Sequence, residues 1–289
     1  ARAAAIRAAG ELDDPEAVPV FGELLASSDP SRESWYAAAW SLARSSAPAA
    51  AEHLRRFAVP EQEGLVATLA CAALARAASP GDLPRVSRMA AQSSHALQRR
   101  VCAFAEAALT PDDQLPRLYP RLQAADPTLA AIAAWRIGQV DPERRPRDAI
   151  AALLRRYIGV PGLARDAAAA ALARQLAPLA APARSPRGNS PLPSVRKSGW
   201  EITVERWLTG VIAPEFTPLS PAALAPFQAD LDQALAAAQA GTRAEAQAAR
   251  ALQDDAACPP ERRADPVCLD LRPLVDPAPP RGVKPPAPR

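Results

Sequence analysis

No apolar run in the sequence approaches the roughly 20 residues that a membrane-spanning helix needs, and the short signatures of common catalytic folds are missing. There is no GxSxG, no HExxH, no P-loop and no GxGxxG. The usual marks of a nucleophile elbow, a zinc protease, and a nucleotide or dinucleotide cradle are therefore lacking. Aromatics are only 4% and glycines number 12, with few β-branched runs, which excludes a large sheet. Lysine is nearly absent: Lys197 and Lys284 are the only two, and arginine supplies the rest of the basic charge. Basic residues (34) barely exceed acidic ones (31), so no global basic field exists to hold a polyanion.

What is abundant is alanine, which makes up most of the 49% hydrophobic fraction. Alanine favours helix and fills little volume, so helices built from it must approach closely. The composition is all-α. The first two-thirds of the chain reads as helical segments with short breaks, and the pattern repeats. Alanine-rich segments at 2–12, 32–45, 64–78, 97–110, 129–140 and 164–179 alternate with segments at 16–28, 47–59, 81–93, 114–125 and 146–159. Breaks carry cap and turn chemistry: "DDP" at 13–15, "DP" at 29–30, 126–127 and 141–142, "SPGD" at 79–82 and "TPDD" at 110–113. Pro19, Pro84, Pro116 and Pro146 recur near the starts of the intervening segments. Proline is tolerated there because its missing N–H would have had no intrahelical acceptor. Pro120, within "RLYPRL", predicts a kink or a restart.

"GELDDPEAVPVFGELL" (10–25) and "DPSRESWYAAAWSLAR" (29–44) resemble HEAT repeats of the short bacterial kind also found in phycobilin-lyase-like proteins. The shared elements are the aspartate–proline turn, the "AVP" opening, the "ELL" ending and the alanine-rich second helix. The resemblance runs from residue 1 to about 179 and weakens at 46–62, where the turn lacks Asp-Pro. It implies an α-solenoid of stacked helical hairpins, each unable to bury both faces alone. Leu24, Trp40, Leu74, Phe104, Trp135 and Leu153 are expected to fill the seams. The opening helix, 2–12, is expected to lack its partner. The chain starts within that helix, with neither an initiator Met nor a signal-like segment, so upstream sequence is expected.

Beyond the solenoid (1–179), residues 180–199 form a Pro/Ser/Arg-rich linker without a periodic apolar face. Helical character returns in 200–276. Val204, Trp207, Leu208, Val211 and Ile212 fall on one helical face, and 220–257 reads as a helical hairpin broken at Gly241. Residues 277–289, "PAPPRGVKPPAPR", form a proline-rich basic tail.

Cys71 and Cys102 occupy equivalent places in successive repeats, "ACAAL" and "VCAFA". Stacked helix axes lie ~8–10 Å apart and a disulfide wants Cα atoms within ~7 Å, so both are expected to be separate buried thiols. Cys258 and Cys268 bracket a short charged loop outside the repeats, and a disulfide between them would contribute about 2–3 kcal/mol. Such a bond implies a periplasmic or extracellular setting; the cytoplasm is the alternative. His53 and His95 lack an acid, nucleophile or metal partner at a recognisable spacing. No catalytic, cofactor or metal site is expected. Basic residues at Arg55, Arg56, Arg99, Arg100, Arg155 and Arg156 are candidate partner contacts. The sequence thus points to a non-enzymatic scaffold for protein–protein interaction, a subunit of a larger bacterial envelope or extracellular assembly. Nucleic-acid binding ranks next, since some HEAT proteins such as alkylpurine glycosylases bind DNA. A lyase-like enzyme ranks last.

Overall fold

Proline and aspartate punctuate the helices in the computed structural model, which describes residues 2–27, 32–62, 64–146, 148–158, 162–176, 200–212 and 227–241. Helix α1 spans Arg2–Glu11 and α2 spans Ala17–Ala26, placing Pro19 in the first turn of α2. There follow α3 (Arg32–Arg44), α4 (Pro48–Arg55), α5 (Leu65–Ala77), α6 (Leu83–Gln92) and α7 (Ala96–Leu109). Pro48 opens α4 and Pro84 lies in the first turn of α6, where no N–H is needed. Pro116 instead lies inside a 3-10 stretch, Asp112–Leu118, before the short α8 (Tyr119–Leu122). With Pro116 and Pro120 both unable to donate, this segment restarts as the sequence predicts. Next come α9 (Pro127–Gly138), α10 (Ala149–Tyr157) and α11 (Leu163–Leu176). Pro146 stands in the turn before α10, not within it. Then follow α12 (Trp200–Ile212) and α13 (Gln228–Ala240), the latter ending where Gly241 was expected to break the chain. No strand occurs among the described residues.

The chain divides into two compact units: Ala1–Leu118 with Arg184–Ala213, and Tyr119–Ala183 with Pro214–Arg289. In the first, the alanine-rich helices α1, α3, α5 and α7 stack in sequence order, while α2, α4 and α6 pack against α3, α5 and α7 respectively. In the second, α9 stacks on α11, with α8 against α9 and α10 against α11. The described segments are thus an all-α array of stacked helical hairpins, a HEAT-like solenoid architecture. Each unit also holds one helix from beyond the repeats, α12 against α7 and α13 against α10.

Close approach is what alanine and glycine make possible here. A Cβ on Gly138 would sit 2.9 Å from the Ala171 Cα, so only glycine lets α9 approach α11 this nearly. In α5 ten consecutive residues, Val66 to Ala75, are buried, among them Ala67, Ala70, Ala72 and Ala73. All six expected seam residues, from Leu24 to Leu153, are buried. A buried alanine methyl contributes only about 0.8 kcal/mol, so polar ties between repeats supplement a core of small side chains. The C-terminal carbonyls of α3 accept from the Arg76 guanidinium at Ala43 O and Ser45 O, the latter at 2.6 Å. Gln175 Nε2 does the same for α9, donating to Ile137 O at 3.1 Å and Val140 O at 2.7 Å. These carbonyls stand at or just past helix ends, where the regular intrahelical bonding stops.

The structure corrects the expectation for Cys71 and Cys102. They form a disulfide between α5 and α7, with Cα atoms 5.0 Å apart and both residues fully buried. The expectation compared the wrong distances. Axes ~8–10 Å apart leave facing Cα atoms far closer, because each lies about 2.3 Å off its own axis toward the other. An alanine-lined seam brings that gap within disulfide range.

Candidate protein-binding surface

On the first unit, the start of α3 and the turn after α4 present a partly exposed aromatic cluster. The Trp35 ring lies 5.5 Å from Tyr36 and 5.7 Å, edge-on, from Phe57. The exposed Arg56 places its guanidinium 4.8 Å from the centre of the Phe57 ring. Helix geometry explains the grouping: Trp35 and Tyr36 sit in the first turn and a half of α3, beyond the buried run Ala37–Ala39. The α4 turn then brings Phe57 alongside.

The six candidate arginines divide between the two units, four on the first and two on the second. Arg55 is bidentate to Asp82, with Nε and Nη2 donating over 2.8 and 2.9 Å, and it also pairs with Glu52. The Asp82 hydrogen bonds chiefly raise the Arg55 pKa, so this cation is fixed and neutralised. Arg99 donates to Ser93 O at 3.1 Å, closing the turn before α7. Arg100 pairs with Glu205 of α12 at 3.3 Å. Arg56 and Arg155 are exposed, on different units, and Arg156 is partly buried. The two histidines serve packing. The His53 ring fills the space that a side chain at position 22 would need, and His95 Nδ1 accepts from the Gln98 N–H to cap α7.

A second surface feature was not legible in the sequence. Helix α12 lays Trp200 over the His95 ring (5.7 Å, stacked) and sets Trp207 edge-on to Phe104 (5.5 Å). Its periodic apolar face announced an amphipathic helix, but nothing local named α7 as the place it would bind. Cys258 and Cys268 lie outside the described residues. Among the described residues, no group of three or more His, Cys, Asp or Glu is placed to hold a metal, and no helix is long and apolar enough to cross a membrane.

No curated protein matches the sequence. Residues 1–75, about a quarter of the chain, match the family model for HEAT repeats. The helix pairing seen in that stretch recurs through α7 and again in α8 to α11. The N-terminal quarter of the chain thus carries HEAT repeats, and the later helix pairs follow the same pattern of pairing.

Proposed function

We propose that the protein is a non-catalytic scaffold that binds protein partners, and that the Trp35–Tyr36–Phe57–Arg56 cluster is a principal contact. HEAT repeats commonly mediate protein–protein interaction. The observation that carries the reading here is the exposed part of that cluster. Tryptophan, tyrosine and arginine dominate the energetics of protein interfaces, and the two aromatics do so because they cover large areas with few rotatable bonds. In this chain aromatics are 4% of all residues, yet three adjoin at one partly exposed place. Nucleic acid is the weaker reading, since Arg55 and Arg100 are spent on carboxylates within the protein.

The partner belongs to a larger assembly in an oxidising compartment, the cell envelope or exterior. The Cys71–Cys102 bond supports that setting, because reducing compartments rarely sustain such bonds. The test is affinity capture from the native source with wild-type protein and with Trp35→Ala/Arg56→Glu. A partner held by the first and lost by the second supports the reading, provided both give the same circular dichroism spectrum. Equal capture by both, or a salt-dependent gel shift with duplex DNA in place of capture, overturns it.

A further inference from the structure

Helix α12 enters the first unit from outside the repeat series and is seated there by one face. Val204, Leu208 and Ile212 are at most 1% exposed, while Glu201, Ile202, Glu205, Arg206, Thr209 and Gly210 face solvent. Two indoles anchor it: Trp207 meets Phe104 of α7, and Trp200 stacks on His95, which caps the same helix. Glu205 fixes the register by accepting from Arg100 at 3.3 Å. The arrangement has the composition of helix-in-groove recognition: apolar anchors at i, i+3, i+4, i+7 and i+8, with a charge pair at the rim. In sequence, 23 residues (177–199) lie between α11 and α12. A helix of 13 residues has little stability alone in water, so α12 depends on this seat for its form.

We propose that the α7 face under α12 is a docking site for an amphipathic helix of a partner protein, and that α12 is its resident intramolecular occupant, displaced when the partner binds. The partner helix carries two large aromatics on its apolar face, placed as Trp200 and Trp207 are. It also carries an acidic residue where Glu205 stands, to meet Arg100. Being part of the same chain, α12 competes at an effective concentration on the order of millimolar. A free helix of equal intrinsic affinity therefore binds the intact chain weakly, and strongly once α12 is unseated. This proposal rests on the protein-binding reading, but it concerns a different surface from the Trp35 cluster. Its failure leaves capture through that cluster untouched.

The probe is a fluorescent, end-blocked peptide of residues 199–213, titrated by anisotropy into full-length protein and into full-length Leu208→Glu. The expected result is binding to L208E at least tenfold tighter than to wild type. Arg100→Glu in the L208E background is expected to lose most of that affinity and to regain it with a Glu205→Arg peptide. No binding to L208E, or binding within twofold of wild type, overturns the proposal when the variant keeps wild-type helicity. If L208E does not fold, a protease site inserted near residue 190 replaces it. After cleavage, exchange of the severed helix for excess labelled peptide supports displacement, and failure to exchange overturns it.

Discussion

Breaking the Cys71–Cys102 bond is the sharpest perturbation of stability available in this chain. The bond closes a loop of 31 residues between two helices that pack directly. On the chain-entropy scale, such a loop restricts the unfolded state by about 3–4 kcal/mol. Protein that is unfolded, reduced and refolded in reductant differs from the native form by two hydrogens only, so no side chain is replaced. For a unit of this size each kcal/mol moves the melting midpoint about 2–4 °C, so the dithiol form should melt roughly 6–16 °C lower. Carrying Cys258→Ser/Cys268→Ser in both samples restricts the comparison to this pair. Because both sulfurs are fully buried, native protein should resist reductant until it is partly unfolded. Intact-mass measurement after alkylation reports the thiols, and calorimetry reports the midpoint. Midpoints within 2 °C of each other would refute the reasoning. So would two freely alkylated thiols at 71 and 102 in unfolded, never-reduced protein.

Three other outcomes follow from the ties between repeats. Asp13 is pushed up by burial but held below its ordinary value of 3.8 by hydrogen bonds from Ser46 and Ser45 and by the Arg76 charge. A carboxyl depressed in the folded state stabilises above its unfolded pKa and loses that contribution as pH falls through the folded value. Asp13→Asn should therefore flatten the acid limb of stability below about pH 4, as read by denaturant midpoints across pH. Arg76→Ala leaves the Ala43 and Ser45 carbonyls without their guanidinium donor and should cost about 1–3 kcal/mol, measured by urea unfolding. Gly138→Val drives a branched side chain against the Ala171 backbone and should destabilise by about 1–3 kcal/mol, seen as a lower midpoint by circular dichroism. An unchanged midpoint in either variant would mean that the corresponding repeats pack less closely than described.

The helices, their pairing and most of their ends were legible because those features are local. Alanine periodicity marked α3, α5, α7, α9 and α11, and proline at the first turn marked α2 and α6. Asp126 and its neighbouring proline fixed the start of α9, with the carboxylate accepting from the Thr128 N–H at 2.9 Å. What the sequence concealed depends on how near two remote elements come. Cys71 and Cys102 looked too far apart only when axes stood in for facing backbones. The seat of α12 requires knowing that Phe104 and the capping His95 both come within reach of the two α12 indoles. The arginines were legible as residues but not as partners, since Asp82 and Glu205 are distant in sequence from Arg55 and Arg100.

The most direct test of a protein-binding scaffold is a photo-crosslinker, benzoylphenylalanine, placed at Tyr36 in the aromatic cluster and irradiated in the native source. Because Tyr36 adjoins Trp35 and is itself partly exposed, a partner seated there lies within reach of the probe. The expected result is one dominant protein adduct, abolished by Arg56→Glu and absent when the probe sits at the exposed Glu16 instead. Adducts spread equally between the two positions, or formed only with nucleic acid, would contradict the proposed role.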